Sequence, residues 1–442
     1  MKLTKIGDFL KRSKIPIDIL DSEDYSRVTI RINHNGVSLR DTEVGKKIGT
    51  KKQFILKAGQ FIVSKIDARY GAFGIAPNEV DNAIITGNFW AYDVDFSKLN
   101  IEWFNQFTNS PDFYDLCERA SAGITHRKYL NESFFLNYEI MLPSVEEQLI
   151  QIEKIKLQKI SFGKLTAELT QQLDLIKQMR QAFLREAMQG KLVKSTNSKK
   201  TGQQLLVKIK AEKAQLIAEK KLKKEKEIAP ISEDEISFEI PDHWVWCRGN
   251  DVAIYIDPQP SHRTPPESRD GVPYVAMSDI KKDGTIDFNS TRKVSYSILE
   301  EHKNRYQLEE GDFIFGKIGT LGKPVLLPKP FEYTLSANVI LIQANRKIIR
   351  DDYLFYFLGS PIAEKELLDK KSTTSYPVFG MAKARNMLIP LPPPHEQEQI
   401  VAKLEELMTF CDGLEHRIKE SQGYNEQLLQ QVLREALQGE KV

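Results

Sequence analysis

The sequence predicts a mixed α/β (α+β) protein built from two related halves, each a globular head followed by one long helix. Three observations predict this. Residues 142–193 lie over 391–442 without a gap, and fifteen of those 52 positions are identical. Within both stretches apolar residues recur at helical spacing. Upstream of each, short apolar runs alternate with helix-like segments. A chain of 442 residues also exceeds what one ordinary core holds, so more than one domain is expected.

The first head opens the chain. QFIVSKI (60–66) and NAIITGNFWAYDV (82–94) read as strands bounded by Gly and Asn, and IEWFNQFTNSPDFYDLCERAS (101–121) reads as helix. SAGITHRKYL (121–130) follows as a short polar segment. The first long helix then begins after Pro143 and stops at Gly190, a residue suited to a left-handed C-cap. Its apolar stripe runs Leu165, Leu169, Leu173, Ile176, Met179, Phe183, close to the 3.5-residue seam of helices that pair along their length. Such a helix of about 45 residues would be roughly 65 Å long.

The joint at 194–229 is rich in lysine: residues 194–228 hold eleven lysines against four glutamates. QQLLVKIKAEKAQLIAEKKLKKEKE (203–227) favours a charged helix. In the second head DFIFGKI (312–318) and NVILIQA (338–344) read as strands, and RDDYLFYFLGSPIAEKELLD (350–369) as helix. Its polar segment is KKSTTSYPVFG (370–380). The second long helix, after LPPP, carries Leu404, Leu407, Cys411, Leu414 and Ile418 and ends at Gly439. A fainter repeat lies upstream, where 56–77 matches 308–329 at offset 252 and Asn88 meets Asn338 at offset 250. The arms stay alike while the heads diverge. Neither helix buries its stripe alone, so the two stripes are expected to face each other; heptads do not fix the direction of pairing.

Composition narrows the function. The chain has 41% apolar and 28% charged residues, a net charge of +2, and no apolar run long enough for a membrane helix or secretory signal. Three scattered cysteines and seven dispersed histidines show no disulfide framework and no metal-ligand spacing, which fits a reducing cytoplasm. GKIGTLGK (316–323) is the nearest string to a phosphate loop, but Lys317 occupies the first glycine's place and Pro324 follows the lysine. No Asn- or Asp-Pro-Pro-aromatic tetrapeptide and no nuclease-like Asp…Glu-x-Lys cluster stands out. A non-catalytic protein without a cofactor or metal of its own is therefore expected.

The polar segments carry the candidate contacts. Ser121, Thr125, His126, Arg127 and Lys128 in the first head, and Lys370, Lys371, Ser372, Thr373, Thr374 and Tyr376 in the second, hold donors suited to phosphates and base edges. Lys65, Arg69 and the counterpart lysine Lys317 add charge near strand ends.

These phrases, taken together, resemble the specificity (S) subunit of type I restriction–modification enzymes. The resemblance rests on MLPSVEEQ (141–148) and PLPPPHEQ (390–397), on LREAMQG (184–190) and LREALQG (433–439), and on the linker and entrance KIKAEKAQLIAEKKLKKEKE…PISEDEISFEIPDHWVW (208–246). It covers essentially the whole chain; the first head lacks only the Trp-containing entrance. The resemblance implies two target-recognition domains, 1–143 and 230–392, in pseudo-twofold arrangement. Between them stand two long antiparallel coiled-coil helices, 144–193 and 393–442, and a charged linker, 194–229. It further implies double-stranded DNA with a bipartite, asymmetric target, one domain per half-site. Two adenine-methyltransferase (M) subunits would dock on the helices, and restriction (R) subunits would add ATP-dependent cleavage. S-adenosylmethionine, ATP and Mg would belong to those partners. Alternatives from the residues alone are a coiled-coil scaffold whose heads bind proteins, and a self-sufficient methyltransferase or nuclease with unrecognised motifs.

Overall fold

The computed structural model describes residues 2–122, 128–194, 201–219, 230–281, 283–317, 323–368 and 380–438. The chain divides into two units, Met1–Thr170 with Lys419–Val442, and Gln171–Ile418.

In the first unit the strands are β1 (Lys2–Lys5), β2 (Leu10–Ser13), β3 (Pro16–Asp18), β4 (Asp24–Ile30), β5 (Val37–Val44), β6 (Lys52–Ile55), β7 (Phe61–Ser64), β8 (Phe73–Ile75), β9 (Ile84–Ile85) and β10 (Phe89–Val94). Helices α1 (Ile101–Thr108) and α2 (Pro111–Arg119), hairpin strands β11 (Ser121–Ala122) and β12 (Tyr129–Leu130), α3 (Glu132–Asn137) and β13 (Glu139–Leu142) follow, and the long helix α4 (Val145–Met188) begins. A four-stranded sheet, β2-β10-β7-β8, forms the centre, and a five-stranded sheet, β3-β6-β9-β4-β5, stands beside it. Strand β7 is buried along its length because both faces are covered. Phe61 and Val63 join Phe104, Phe113 and Phe135 in one core, while Ile62 joins Leu56, Val80 and Ala91 in another. That two-sided burial is why FIV (61–63) reads as a continuous apolar run.

The second unit contains α5 (Thr201–Ala218), β14 (Val245–Arg248), α6 (Gly249–Val252), β15 (Ala253–Ile256), β16 (Val272–Val275), β17 (Lys293–Val294), α7 (Tyr296–Lys303), β18 (Phe313–Gly316), β19 (Val325–Leu326), β20 (Thr334–Leu335) and β21 (Val339–Ala344). It closes with α8 (Asp351–Leu358), α9 (Pro361–Leu368), α10 (Met381–Asn386), β22 (Leu388–Leu391) and the long helix α11 (Pro394–Gln438). Its four-stranded sheet, β15-β21-β18-β19, has the order of the first unit's central sheet. Its accessory sheet differs, with three strands, β17-β16-β20. Strand β1 pairs antiparallel with β13 as β14 pairs with β22, so Lys2–Lys5 fills the place of the Trp-containing entrance.

Three segments differ from their sequence reading. The stretch 101–121 is two helices, broken at Asn109-Ser110. Ser110 caps the second by accepting from the N–H of Phe113, and Pro111 takes the first turn, where its missing donor costs nothing. The second unit breaks α8 from α9 at Ser360-Pro361 in the same way, with Ser360 Oγ accepting from Ala363 N–H. The run 82–94 is two strands, separated by a turn at Thr86–Asn88. The charged joint is not a free strut. Leu205 and Ile209 of α5 are buried in the second unit's core, and Lys213 pairs with Asp251 at 2.7 Å.

The long helices span 44 and 45 residues. At Gly190, φ is +69°, and Lys191 N–H donates to Glu186 O, closing α4 in a left-handed cap. In the first unit Asn425 donates to Phe162 O (3.3 Å) and Thr166 Oγ1 (2.9 Å), and Gln422 reaches Thr170. In the second, Arg180 meets Asp412 (2.7 Å), Glu415 (3.0 Å) and Met408 O (3.4 Å), while Phe183, Leu184, Ala187 and Met188 pack with Ile400, Val401 and Leu404. In each unit, numbers rising along one helix meet numbers falling along the other, so the pairing is antiparallel. Leu169, Ile176, Leu404 and Cys411 are buried in it; Leu173, Met179, Phe183, Leu407, Leu414 and Ile418 are half-buried, and Leu165 stands 43% exposed.

Both helices are clamped at their starts by the repeated glutamine. Gln148 is fully buried; its Nε2 donates to Lys98 O (2.9 Å) and Pro143 O (2.8 Å). Gln397, also fully buried, donates to Ile348 O (3.1 Å) and Pro392 O (2.9 Å). The neighbouring glutamate has diverged. Glu147 caps its helix through Ser144 N–H at 2.7 Å, whereas Glu396 is buried against His243 Nε2 at 2.7 Å.

Candidate nucleic-acid interface

In the first unit the end of β7 gathers several of the sequence-predicted contacts. Lys65 N–H donates to Asn88 O (2.9 Å), and Lys65 O accepts from Leu130 N–H (2.7 Å), which fastens the β11–β12 hairpin to the sheet. The Lys65 ammonium lies 5.6 Å from the centre of the Tyr129 ring, and the Arg69 guanidinium 4.5 Å from that of Tyr70. Lys128 pairs with Glu118 at 2.9 Å and holds that carboxyl below its ordinary range. Ser121 turns its hydroxyl inward, to Cys117 O at 2.7 Å. Lys65, Arg69, Ser121 and Lys128 thus share one edge of the head. Thr125, His126 and Arg127 lie outside the described residues.

Beside this edge is a cleft of about 460 Å³ that the sequence did not single out. Arg27, Arg40, Thr50, Gln53, Asp67 and Asn88 are among its lining. Arg27 is held as a fork on Asp41, Nε to Oδ1 at 2.6 Å and Nη2 to Oδ2 at 2.8 Å. The pairing raises the guanidinium's pKa and lowers the carboxyl's. Arg40, 61% exposed, has only a 3.6 Å approach to the same carboxylate. The β4–β5 register is what places Arg27 and Asp41 opposite each other. The spacing of the residues along the chain carries no sign of that pairing.

The second unit keeps the frame and changes the decoration. Lys317 N–H donates to Asn338 O at 2.8 Å, matching Lys65 and Asn88. Its ammonium is nearly buried and paired with Asp257 at 2.7 Å. The strand registers put Asp257 where the first unit has Lys14. The other polar residues proposed for this head, Lys370, Lys371, Ser372, Thr373, Thr374 and Tyr376, lie outside the described residues. Deeper in, His302 joins Gln259 Oε1 (2.5 Å) and Thr334 Oγ1, and Tyr306 closes the group with 3.0 Å to Thr334. These side chains satisfy one another and brace the accessory sheet. Among the described residues no three His, Cys, Asp or Glu side chains are placed to hold a metal ion.

Comparison with known proteins bears on what these frames are for. Residues 261–421 match the family described as type I restriction modification DNA specificity domain. The chain is 24% identical over 364 residues to the specificity subunit of the type I restriction enzyme EcoBI of Escherichia coli, covering 81% of this chain and 69% of that one. Residues 261–421 thus carry that domain, and most of the chain is similar to specificity subunits of type I restriction–modification systems. Its fold is that of solved relatives of the specificity subunit. The HsdS subunit from Thermoanaerobacter tengcongensis superposes with a TM-score of 0.51 at 16% identity, covering 99% of this chain and 96% of that one. A chain from a structure describing assembly and conformational transition of the type I system gives 0.55 at 16% identity, covering 99% and 97%. The resemblance read from the sequence phrases is thereby shown, and the matched domain runs from the second head into α11. Among the described residues no helix is long and apolar enough to cross a membrane.

Proposed function

We propose that this specificity subunit reads a bipartite, asymmetric DNA target, residues 1–143 taking one half-site and residues 230–392 the other, in the cytoplasm. The observation that carries the reading is one frame decorated twice. The same four-stranded order and the same lysine-to-asparagine backbone bond recur, beside a five-stranded sheet in one unit and a three-stranded sheet in the other. A shared frame with different surfaces suits two readers of different sequences. Lysine and arginine contacts with phosphates supply most of the affinity, and polar side chains at each head's edge select bases.

The subunit itself is non-catalytic in this reading. Two adenine-methyltransferase subunits dock on it, and restriction subunits add cleavage; S-adenosylmethionine, ATP and Mg are held by those partners. Exposed apolar side chains on α4, Leu149, Ile150, Leu157 and Ile160, supply a surface for such docking. Long-read sequencing that maps modified adenines tests the reading. Replacing residues 1–143 by the first head of another specificity subunit changes one half-site and preserves the other. A motif that changes in both halves, or in neither, overturns it.

A further inference from the structure

Asn88 and Asn338 are identical in two heads whose surfaces have otherwise diverged, and folding does not account for them. Both stand immediately before equivalent strands: the registers pair Phe89 with Ser64 and Val339 with Gly316. Each turn is fixed by the same two backbone bonds. Asn88 N–H donates to Thr86 Oγ1 and Asn338 N–H to Ser336 Oγ, both at 3.3 Å, and each carbonyl receives the N–H of Lys65 or Lys317. None of those bonds uses the asparagine side chain. Neither residue has a positive φ, so left-handed backbone does not demand asparagine here. Both are exposed, and no side-chain amide bond is made by either among the described residues. Thr86 and Ser336 vary conservatively because a hydroxyl suffices to close the turn; the asparagine does not vary at all.

We propose that Asn88 and Asn338 each donate a side-chain hydrogen bond to the sugar–phosphate backbone of the half-site their own unit reads. This rests on the DNA-reading role proposed above and assigns a contact within it. Two heads that select different bases share only the feature common to all duplexes, so a side chain common to both serves that feature. An amide N–H donates to a phosphate oxygen without adding charge. The rigid turn presents it at little entropic cost, because the backbone is already held on both sides.

The test uses the full chain assembled with its methyltransferase subunits, with binding to a cognate duplex measured across salt and modified adenines mapped by sequencing. Asn88→Ala and Asn338→Ala are each expected to weaken cognate binding about fivefold, the effect of one neutral hydrogen bond, with an unchanged motif and salt slope. Asn88→Asp and Asn338→Asp keep the shape and place a negative charge by the phosphate, so losses of more than about tenfold are expected. Undiminished affinity in all four variants overturns the proposal. So does a motif relaxed at one base pair, which would make the asparagine a reader of bases. A wild-type complex that binds all duplexes alike sinks the underlying DNA-reading role instead, before any variant is compared.

Discussion

The backbone N–H of Asn100 donates to Oε1 of Gln148 at 2.7 Å, across 48 residues of sequence. Arg350 N–H makes the same bond to Gln397 Oε1 at 2.8 Å in the other unit. With its two amide bonds, each glutamine ties the start of a long helix to the loop that leads into the head's first helix pair. Gln148→Met and Gln397→Met keep the volume and leave one N–H and two carbonyls unpaired in a buried place. Each is expected to cost roughly 3 kcal/mol of stability. Urea unfolding checks this; a loss below about 1 kcal/mol would mean that water takes over the three bonds.

Buried Asn425 is a polar contact in a mostly apolar helix pair. Thr166 keeps its own bond to Phe162 O at 3.0 Å, so Asn425→Leu strands no hydroxyl. The leucine is expected to raise thermal stability by about 1 kcal/mol while loosening the choice of register. Ile176, buried at the repeat-equivalent position, is expected to behave oppositely: Ile176→Asp should cost about 3 kcal/mol or more. Calorimetry with a sizing column distinguishes the two, and equal effects would dismiss the register role of Asn425.

Two histidines set a pH dependence. Burial holds His34 and His302 below the ordinary imidazole range, with Arg305 adding repulsion at His302. Because both pKa values are lower folded than unfolded, the unfolded chain binds more protons below about pH 6.5, and stability falls as pH drops through that value. The urea midpoint is expected to decline between about pH 7 and pH 5, and His302→Gln to flatten the slope. A midpoint that rises on acidification contradicts the assignment.

Asp257 is the counter-charge of a nearly buried lysine. Asp257→Ala leaves Lys317 uncompensated and is expected to cost about 3 kcal/mol in the second unit. The double variant Asp257→Ala with Lys317→Met is expected to recover most of the loss. Thermal unfolding of the wild type, both single variants and the double variant closes the cycle, and no recovery would show that the pair is not the source.

Much of this architecture is legible in the sequence because one element was written twice. The register from Pro143 to Gly190 and its copy gave helix length, and the apolar runs of β7 and β18 gave the central strands, since burial on both faces leaves them almost wholly apolar. The breaks at Ser110-Pro111 and Ser360-Pro361 were also legible as cap and first-turn residues, but the surrounding apolar periodicity masked them. The candidate interface was harder to read. Arg27 and Asp41 face each other only through strand pairing, and Lys317 looks like a surface charge until Asp257 is placed beside it. Leu205 and Ile209 sit in a lysine-rich stretch whose composition hides a face that docks. Long-range partners of charged side chains leave no local signal, which is why the frame was easier to see than the surface it presents.

The first head is completed by a helix far downstream in sequence: Leu433, Ala436 and Leu437 of α11 pack in the same core as Ile152 and Ile155. On the ribosome that head therefore waits, one wall of its core missing, until α11 has been translated. A premature stop ahead of α11 would injure a head whose own residues had all been made.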